Sequence, residues 1–326
     1  MGFTYIRPKA DLIYGASGLR KTTNIGLIAL YVKAKYGKLT RLVTCDGGGF
    51  DVLLPLVESG LIEPWTISNW PDFIEACDKA SQGFWPVDIS NPSKGLIAPT
   101  PALWEKIGFV AFEGLTSMGD SMLRYLSSKG IRLSQDPSYK WTDGKTTYSG
   151  ANQSYYGEVQ NRLNEFVVKS HLLPCERVLW TALEGKGEED GTRAPIYGPA
   201  IAGKKSTGKA TQWFGNSCHI EAMVAETGVD PKTKQIGLTV TPVMYLRTHA
   251  DPTTKIPFPC KTRAPFQYAT ELPEYLDPPD MAELYRKLDA LNDKVKEDLA
   301  KAAAQPAQPT SPPVPAAAIK PQSTVA

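Results

Sequence analysis

From Gly15 to Thr23 the chain reads Gly15, Ala16, Ser17, Gly18, Leu19, Arg20, Lys21, Thr22, Thr23. These residue types suit the gripping of a phosphate chain. The pattern for that task is a glycine, four residues, then Gly-Lys-Ser/Thr, set between a strand and a helix. Glycines let backbone N–H groups converge on a phosphate, the helix N-terminus adds its positive dipole end, and the Lys21 ammonium supplies a full charge. Thr22 stands where the pattern's hydroxyl holds Mg²⁺. Arg20 departs from the pattern, standing where the second motif glycine belongs; a side chain there restricts the backbone or crowds the phosphates, which leaves affinity and hydrolysis open. The alternative is an ordinary strand-to-helix turn that carries Gly and Lys.

Such a site also needs an acid at the end of a neighbouring strand, to organise Mg²⁺ and its water. Glu113, after the apolar run Ile107–Phe112, takes the Walker-B place, where Asp is usual; Asp46, after Arg41–Cys45, is a second candidate to polarise water or support the metal. Each could instead be a helix cap or a solvated acid. Thr181, closing a further apolar run, reaches the phosphates if the strands follow a RecA-like order, or is a buried threonine satisfied by backbone. A second glycine-spaced run, Gly198 to Lys205, has Lys205 in place of Ser/Thr; no helix is expected after it, and Ser206, Thr207 and Gly208 predict a mobile loop.

The elements that must hold these groups alternate. An apolar run at 11–14 precedes the glycine-rich turn, and 22–36 carries Ile25, Ile28, Ala29 and Val32 at helical spacing. Runs at 41–45, 107–112 and 177–182 read as buried strands, with helices at 72–79, 117–126 and 159–170 between them. Strands are also expected at 220–224, 237–240 and 243–247, antiparallel at the sheet edge. This is an α/β pattern with a mainly parallel sheet flanked by helices. Residues 1–278 are expected to form one domain, with an irregular proline-bearing insertion at 82–105, a long loop at 127–156 and an acidic loop at 184–190. A charged helix at 279–301 and a disordered Pro- and Ala-rich tail at 302–326 complete the chain.

Composition narrows the class. The 326 residues are 42% hydrophobic, and 36 Lys and Arg face 34 Asp and Glu, so a net charge of +2 gives no general pull toward nucleic acid or membrane. Five scattered cysteines without C-x-x-C spacing argue against a disulfide framework and a zinc site, and no metal ligand is assigned to the three histidines, which lie far apart in sequence. The N-terminus lacks a signal-peptide pattern and no apolar stretch is long enough to span a bilayer, so the expected location is the cytoplasm.

On LIYGASGLRKTT, FVAFEGLTS and RVLWTALEGKGEEDG followed by GPAIAGK, the chain resembles the phage-encoded AAA/RecA-like P-loop ATPases, the group that includes RecA-like single-strand annealing proteins. The resemblance spans 12–279. It implies a RecA-type core, ATP with Mg²⁺, a role in phage DNA recombination or replication in the host cytoplasm, and a homo-oligomer in which a neighbour completes the site, with Arg20 or Arg247 as arginines that could serve across the boundary.

Single-stranded DNA needs cations for phosphates and aromatic faces for bases. Lys140 and Lys145 lie in the aromatic-rich 127–156 stretch, and Lys204, Lys205 and Lys209 follow the fourth strand; both groups also read as ordinary solvated loops. The leading expectation is therefore a DNA-dependent ATPase. A nucleotide-binding assembly or packaging accessory with little hydrolysis is the alternative, and a small-molecule kinase ranks last because no lid with paired arginines is evident.

Overall fold

Short apolar runs that end in glycine or a charged residue become the buried strands of one sheet. The computed structural model describes residues 10–44, 49–67, 70–129, 140–142, 147–149, 153–189, 192–229 and 236–304. β1 (Ala10–Gly15) is buried throughout and leads through the glycine-rich turn into α1 (Lys21–Tyr36). β2 (Leu39–Thr44), α2 (Leu54–Glu58), β3 (Ile62–Thr66) and α3 (Trp70–Ser81) follow. Next come the two-residue strands β4 (Trp85–Pro86) and β5 (Leu96–Ile97), then α4 (Pro101–Trp104), β6 (Ile107–Glu113) and α5 (Leu115–Lys129). A small hairpin of β7 (Lys140–Thr142) and β8 (Thr147–Ser149) precedes α6 (Gln153–Ser170), β9 (Arg177–Glu188), β10 (Pro195–Pro199) and α7 (Lys204–Ala210). The last strands are β11 (Ser217–Val229), β12 (Ile236–Tyr245), β13 (His249–Ala250), β14 (Pro257–Phe258) and β15 (Tyr275–Leu276), and α8 (Met281–Ala304) closes the described chain.

The main sheet runs β15-β12-β11-β1-β9-β6-β2-β3, with β10 added to β9. The six strands from β11 to β3 pair in parallel, whereas β12, β15 and β10 join antiparallel. The expected α/β architecture, a mainly parallel sheet flanked by helices, is what forms. One apolar core lies on the α3, α5 and α6 face, where Phe112 and Trp180 stack at 4.2 Å; the other lies under α1 and α8 and contains Ile13, Leu179, Tyr285 and Leu288. Among the described residues no helix is long and apolar enough to cross a membrane.

Several local expectations are corrected. The 127–156 stretch is not one loop, because α5 reaches Lys129, α6 begins at Gln153, and Lys140–Thr142 pairs antiparallel with Thr147–Ser149. Tyr155 is buried in the core and is no stacking surface for a base. The insertion at 82–105 is packed: Trp85 and Trp104 are buried, with the Arg41 guanidinium 4.6 Å and 5.7 Å from their ring centres. Its prolines interrupt regular structure but do not stop the two indoles from covering a buried cation on β2. The expected acidic loop is largely strand, since Glu184 to Glu188 pairs with β10. The run after Gly203 forms α7 in place of the expected loop, with Ser206, Thr207 and Ala210 buried. Gly198 permits that close approach, because a Cβ there would stand 2.7 Å from the Thr207 carbonyl oxygen. The two strands expected at 237–240 and 243–247 are one strand, β12, and residues 305–326 of the expected tail lie outside the described residues.

α8 is held by more than its apolar face. The Tyr285 hydroxyl donates to Asp11 Oδ2 at 2.8 Å, and the backbone N–H and side-chain amide of Asn216 both donate to Oδ1 at 2.8 Å. Burial raises the Asp11 pKa from 3.8 to about 6, against the opposing pull of these donors and of Arg177. Between about pH 4 and 6 the folded chain therefore binds a proton that the unfolded chain has released, so this group's contribution to stability falls as pH rises through that window and is constant above it. The size is at most on the order of 3 kcal/mol. Asp11→Asn should flatten this fall, read as the pH dependence of the urea-unfolding midpoint from pH 4 to 7; an unchanged slope would show that Asp11 does not cause it.

Candidate phosphate-binding site

The glycine-rich turn sits at the C-terminal end of β1, between β9 and β11. Gly15 has no space for a side chain: a Cβ there would lie 2.3 Å from the Ile220 carbonyl oxygen of β11. Gly18 adopts a left-handed conformation (φ 79°) with open space around it. Arg20, where the motif has glycine, is also left-handed at φ 61°, ψ 22°. The backbone thus keeps the conformation glycine would supply, at a cost of ~1–2 kcal/mol for an L-residue.

Lys21 opens α1 and folds back over the turn, its Nζ donating to the carbonyl oxygens of Gly15 at 2.8 Å and Ala16 at 2.6 Å. Its ammonium is thereby held inside the concavity. Burial lowers its pKa, while the nearby Glu184 and Glu113 carboxylates act in the opposite direction. One residue on, the Thr22 hydroxyl donates to Glu113 Oε1. Glu113 ends β6, which is separated from β1 by β9, and it is only 5% exposed. The hydroxyl and the acid expected to serve Mg²⁺ therefore meet, although 91 residues separate them in sequence.

β9 closes the far side. Its Thr181 accepts a hydrogen bond from the Gly114 N–H at 3.1 Å, and the Leu183 N–H donates to Thr116 Oγ1 at 2.9 Å. These two bonds tie the middle of β9 to the turn after Glu113 and to the first turn of α5. The resulting cavity of about 400 Å³ is walled by Ser17, Gly18 and residues 20–23 of the turn, with Glu113, Thr116, Ser117, Thr181 and Val52 opposite. A wider, more open groove of about 850 Å³, beside Lys35, Arg263 and Lys296 at the other end of α1, contains none of these groups.

The geometry brings Ser17, Gly18, Arg20, Lys21, Thr22, Thr23, Glu113 and Thr181 around the cavity, with Gly15 and Ala16 joined to it through their carbonyls to Lys21, whereas Leu19 packs against the apolar core under α1 and α8. Asp46 and Lys145 lie outside the described residues. Lys140 lies on β7, while Lys204, Lys205 and Lys209 lie on α7. Arg247 is engaged within its own chain, donating to the carbonyl oxygens of Ala269 and Leu272 at 3.0 and 3.1 Å. Sequence reasoning passed over Thr116 and Ser117, which a search of the Gly-Leu-Thr-Ser turn after Glu113 could have found, and Val52, whose place depends on tertiary packing alone.

A concave turn with an ammonium inside it, beside a hydroxyl–carboxylate pair on an α/β sheet, has the geometry that gripping a phosphate chain would need. The oxygens of Thr22 and Glu113 are the hard donors Mg²⁺ takes, so an Mg²⁺-bound polyphosphate fits the chemistry of this cavity. Comparison with protein-family models gives no match, and comparison with curated proteins gives none. Among solved structures, a KaiC-like protein from the hyperthermophilic archaeon Pyrococcus horikoshii is similar over 77% of this chain and 89% of its own, at 11% identity and a TM-score of 0.34. That likeness is loose, and the site's own geometry carries the functional reading.

Replacing Arg20 by glycine tests the strain. Relief of the left-handed arginine, less the backbone entropy glycine adds to the unfolded chain, leaves a stabilisation of ~0.5–1 kcal/mol. Arg20→Val, β-branched in the same conformation, should destabilise. Thermal unfolding of both variants reads the difference, and a less stable Arg20→Gly would assign the arginine a stabilising contact that outweighs its backbone.

Proposed function

We propose that this chain is a P-loop NTPase with a RecA-like core that binds ATP with Mg²⁺ and acts on single-stranded DNA in phage recombination or replication. The observation that carries the nucleotide reading is the convergence of the Lys21 ammonium, the Thr22 hydroxyl and the Glu113 carboxylate on one cavity. In support of a RecA-like core, β9 lies between the P-loop strand and the acid-bearing strand, which sets Thr181 in the cavity wall.

In this reading the N–H groups of the turn and the Lys21 ammonium hold the phosphate tail, and Thr22 and Glu113 hold Mg²⁺. When bound, Mg²⁺ supplies charge neutralisation on the phosphate oxygens. Thr181, fixed by Gly114, and Thr116, fixed by Leu183, hold the stretch of β9 that faces the transferred group in place. A second reading, a nucleotide-holding assembly or packaging accessory with little turnover, has Arg20 in its favour, since a bulky cation occupies the place the motif gives to glycine.

Calorimetry with Mg-ATP tests the first part. Wild type should bind, Lys21→Ala should lose at least tenfold in affinity, and Glu113→Gln should keep nucleotide while losing turnover; no heat with the wild type sinks the proposal. Turnover stimulated by single-stranded DNA supports the DNA-dependent ATPase, and tight binding without turnover supports the accessory role.

The DNA contact is assigned to the lysines of α7 and of the 127–156 stretch, Lys140 and Lys145 among them. Replacing Lys204, Lys205 and Lys209 together by alanine should weaken binding and reduce the slope of log affinity against log salt by roughly two, at about 0.7 for each phosphate that a lysine no longer neutralises. An unchanged slope removes α7 from the interface.

A further inference from the structure

The three histidines are far apart in sequence, yet the fold brings two of them together with two carboxylates. His219 and Glu221 are two residues apart on β11 and so share a face of the strand. β12 returns antiparallel with Tyr245 opposite His219, and four residues later His249 reaches the same place. His219 Nδ1 lies 3.3 Å from His249 Nε2, which lies 3.1 Å from Glu221 Oε2. The three donor atoms all fall within 4.8 Å of one another.

Protonation on the far side of His219 is fixed by its partner. Its Nε2 is 2.9 Å from Glu184 Oε2, and a carboxylate can only accept, so Nε2 carries the proton and Nδ1 presents its lone pair to His249. A single N–H on His249 then faces two acceptors, His219 Nδ1 and Glu221. This is the arrangement of a carboxylate–histidine pair that orients a metal ligand. The rings cannot swing freely, since His219 stacks on Phe258 at 4.0 Å and His249 on Tyr245 at 3.6 Å. Glu221, with 24% of its side chain exposed, leaves the cluster open to solvent on one side.

We propose that His219 Nδ1, His249 Nε2 and Glu221 bind a divalent transition-metal ion, Zn²⁺ by its donor set, with Glu184 as the orienting carboxylate and one coordination position open to water. Two nitrogens and one carboxylate oxygen are ligands that Zn²⁺ takes and that Mg²⁺ and Ca²⁺ do not prefer. Tetrahedral bonds of about 2.0–2.1 Å place neighbouring donors roughly 3.3–3.4 Å apart, so the two short edges are already near their bound lengths. Rotation of the partly exposed Glu221 closes the third. Metal binding through His249 Nε2 takes the ring in its other neutral tautomer, with the single proton moved from Nε2 to Nδ1, so that Nε2 offers its lone pair and no net proton is lost.

The test uses the full chain, stripped with a chelator and titrated without nucleotide, so that it does not depend on the phosphate site. Co²⁺ should bind in one equivalent with the intense visible absorption of a four-coordinate ion, and Zn²⁺ should displace it. His249→Ala and Glu221→Gln should each lose the band and at least tenfold in Zn²⁺ affinity, and Glu184→Gln should weaken binding by ~10–100-fold. Glu221→Gln keeps the side-chain shape at a partly exposed position, so it decides the matter if His249→Ala does not fold. A pale six-coordinate spectrum, or equal Zn²⁺ affinity in the wild type and Glu221→Gln, overturns the assignment.

Discussion

At Gly15 the carbonyl oxygen of Ile220 takes the space that any side chain would need. β1 lies between β11 and β9 in the parallel part of the sheet, and its last residue passes so close to β11 that only glycine fits. The turn that follows is aimed by this contact. The Lys21 ammonium curls into the loop, and the Thr22 hydroxyl, at the start of α1, meets Glu113 at the end of β6. A single backbone approach thus registers two strands, one helix and one acid. β9, tied by Thr181 and Leu183 to the turn after β6, fixes the remaining wall.

The strands were legible where burial on both faces makes them continuously apolar, as in Ile107–Phe112 and Arg177–Ala182, and the phosphate turn was legible because its chemistry is local. Glu113 could be singled out for a physical reason: a carboxylate ending such a strand needs a polar partner, and Thr22 is that partner. The misreadings share a cause. Composition marked 82–105 and 127–156 as irregular, but Trp85, Trp104 and Tyr155 are held by partners distant in sequence. Gly208 and its polar neighbours suggested a loop, and only the Gly198–Thr207 approach shows why a short helix fits there.

The histidines show the same limit more sharply. A separation of 30 residues carries no ligand signal, whereas an antiparallel return from β11 through β12 brings His249 to His219 and puts Tyr245 against its ring. Spacing rules find sites built on one helix or one loop. They miss sites assembled by strand register.

Glu184 lies at the junction of two regions, hydrogen-bonded to His219 on one side and acting on the Lys21 charge on the other. One carboxylate cannot serve two cations independently. A cation held between the imidazoles would share the carboxylate that acts on the Lys21 ammonium. Any influence that one site exerts on the other through this carboxylate would be equal in both directions.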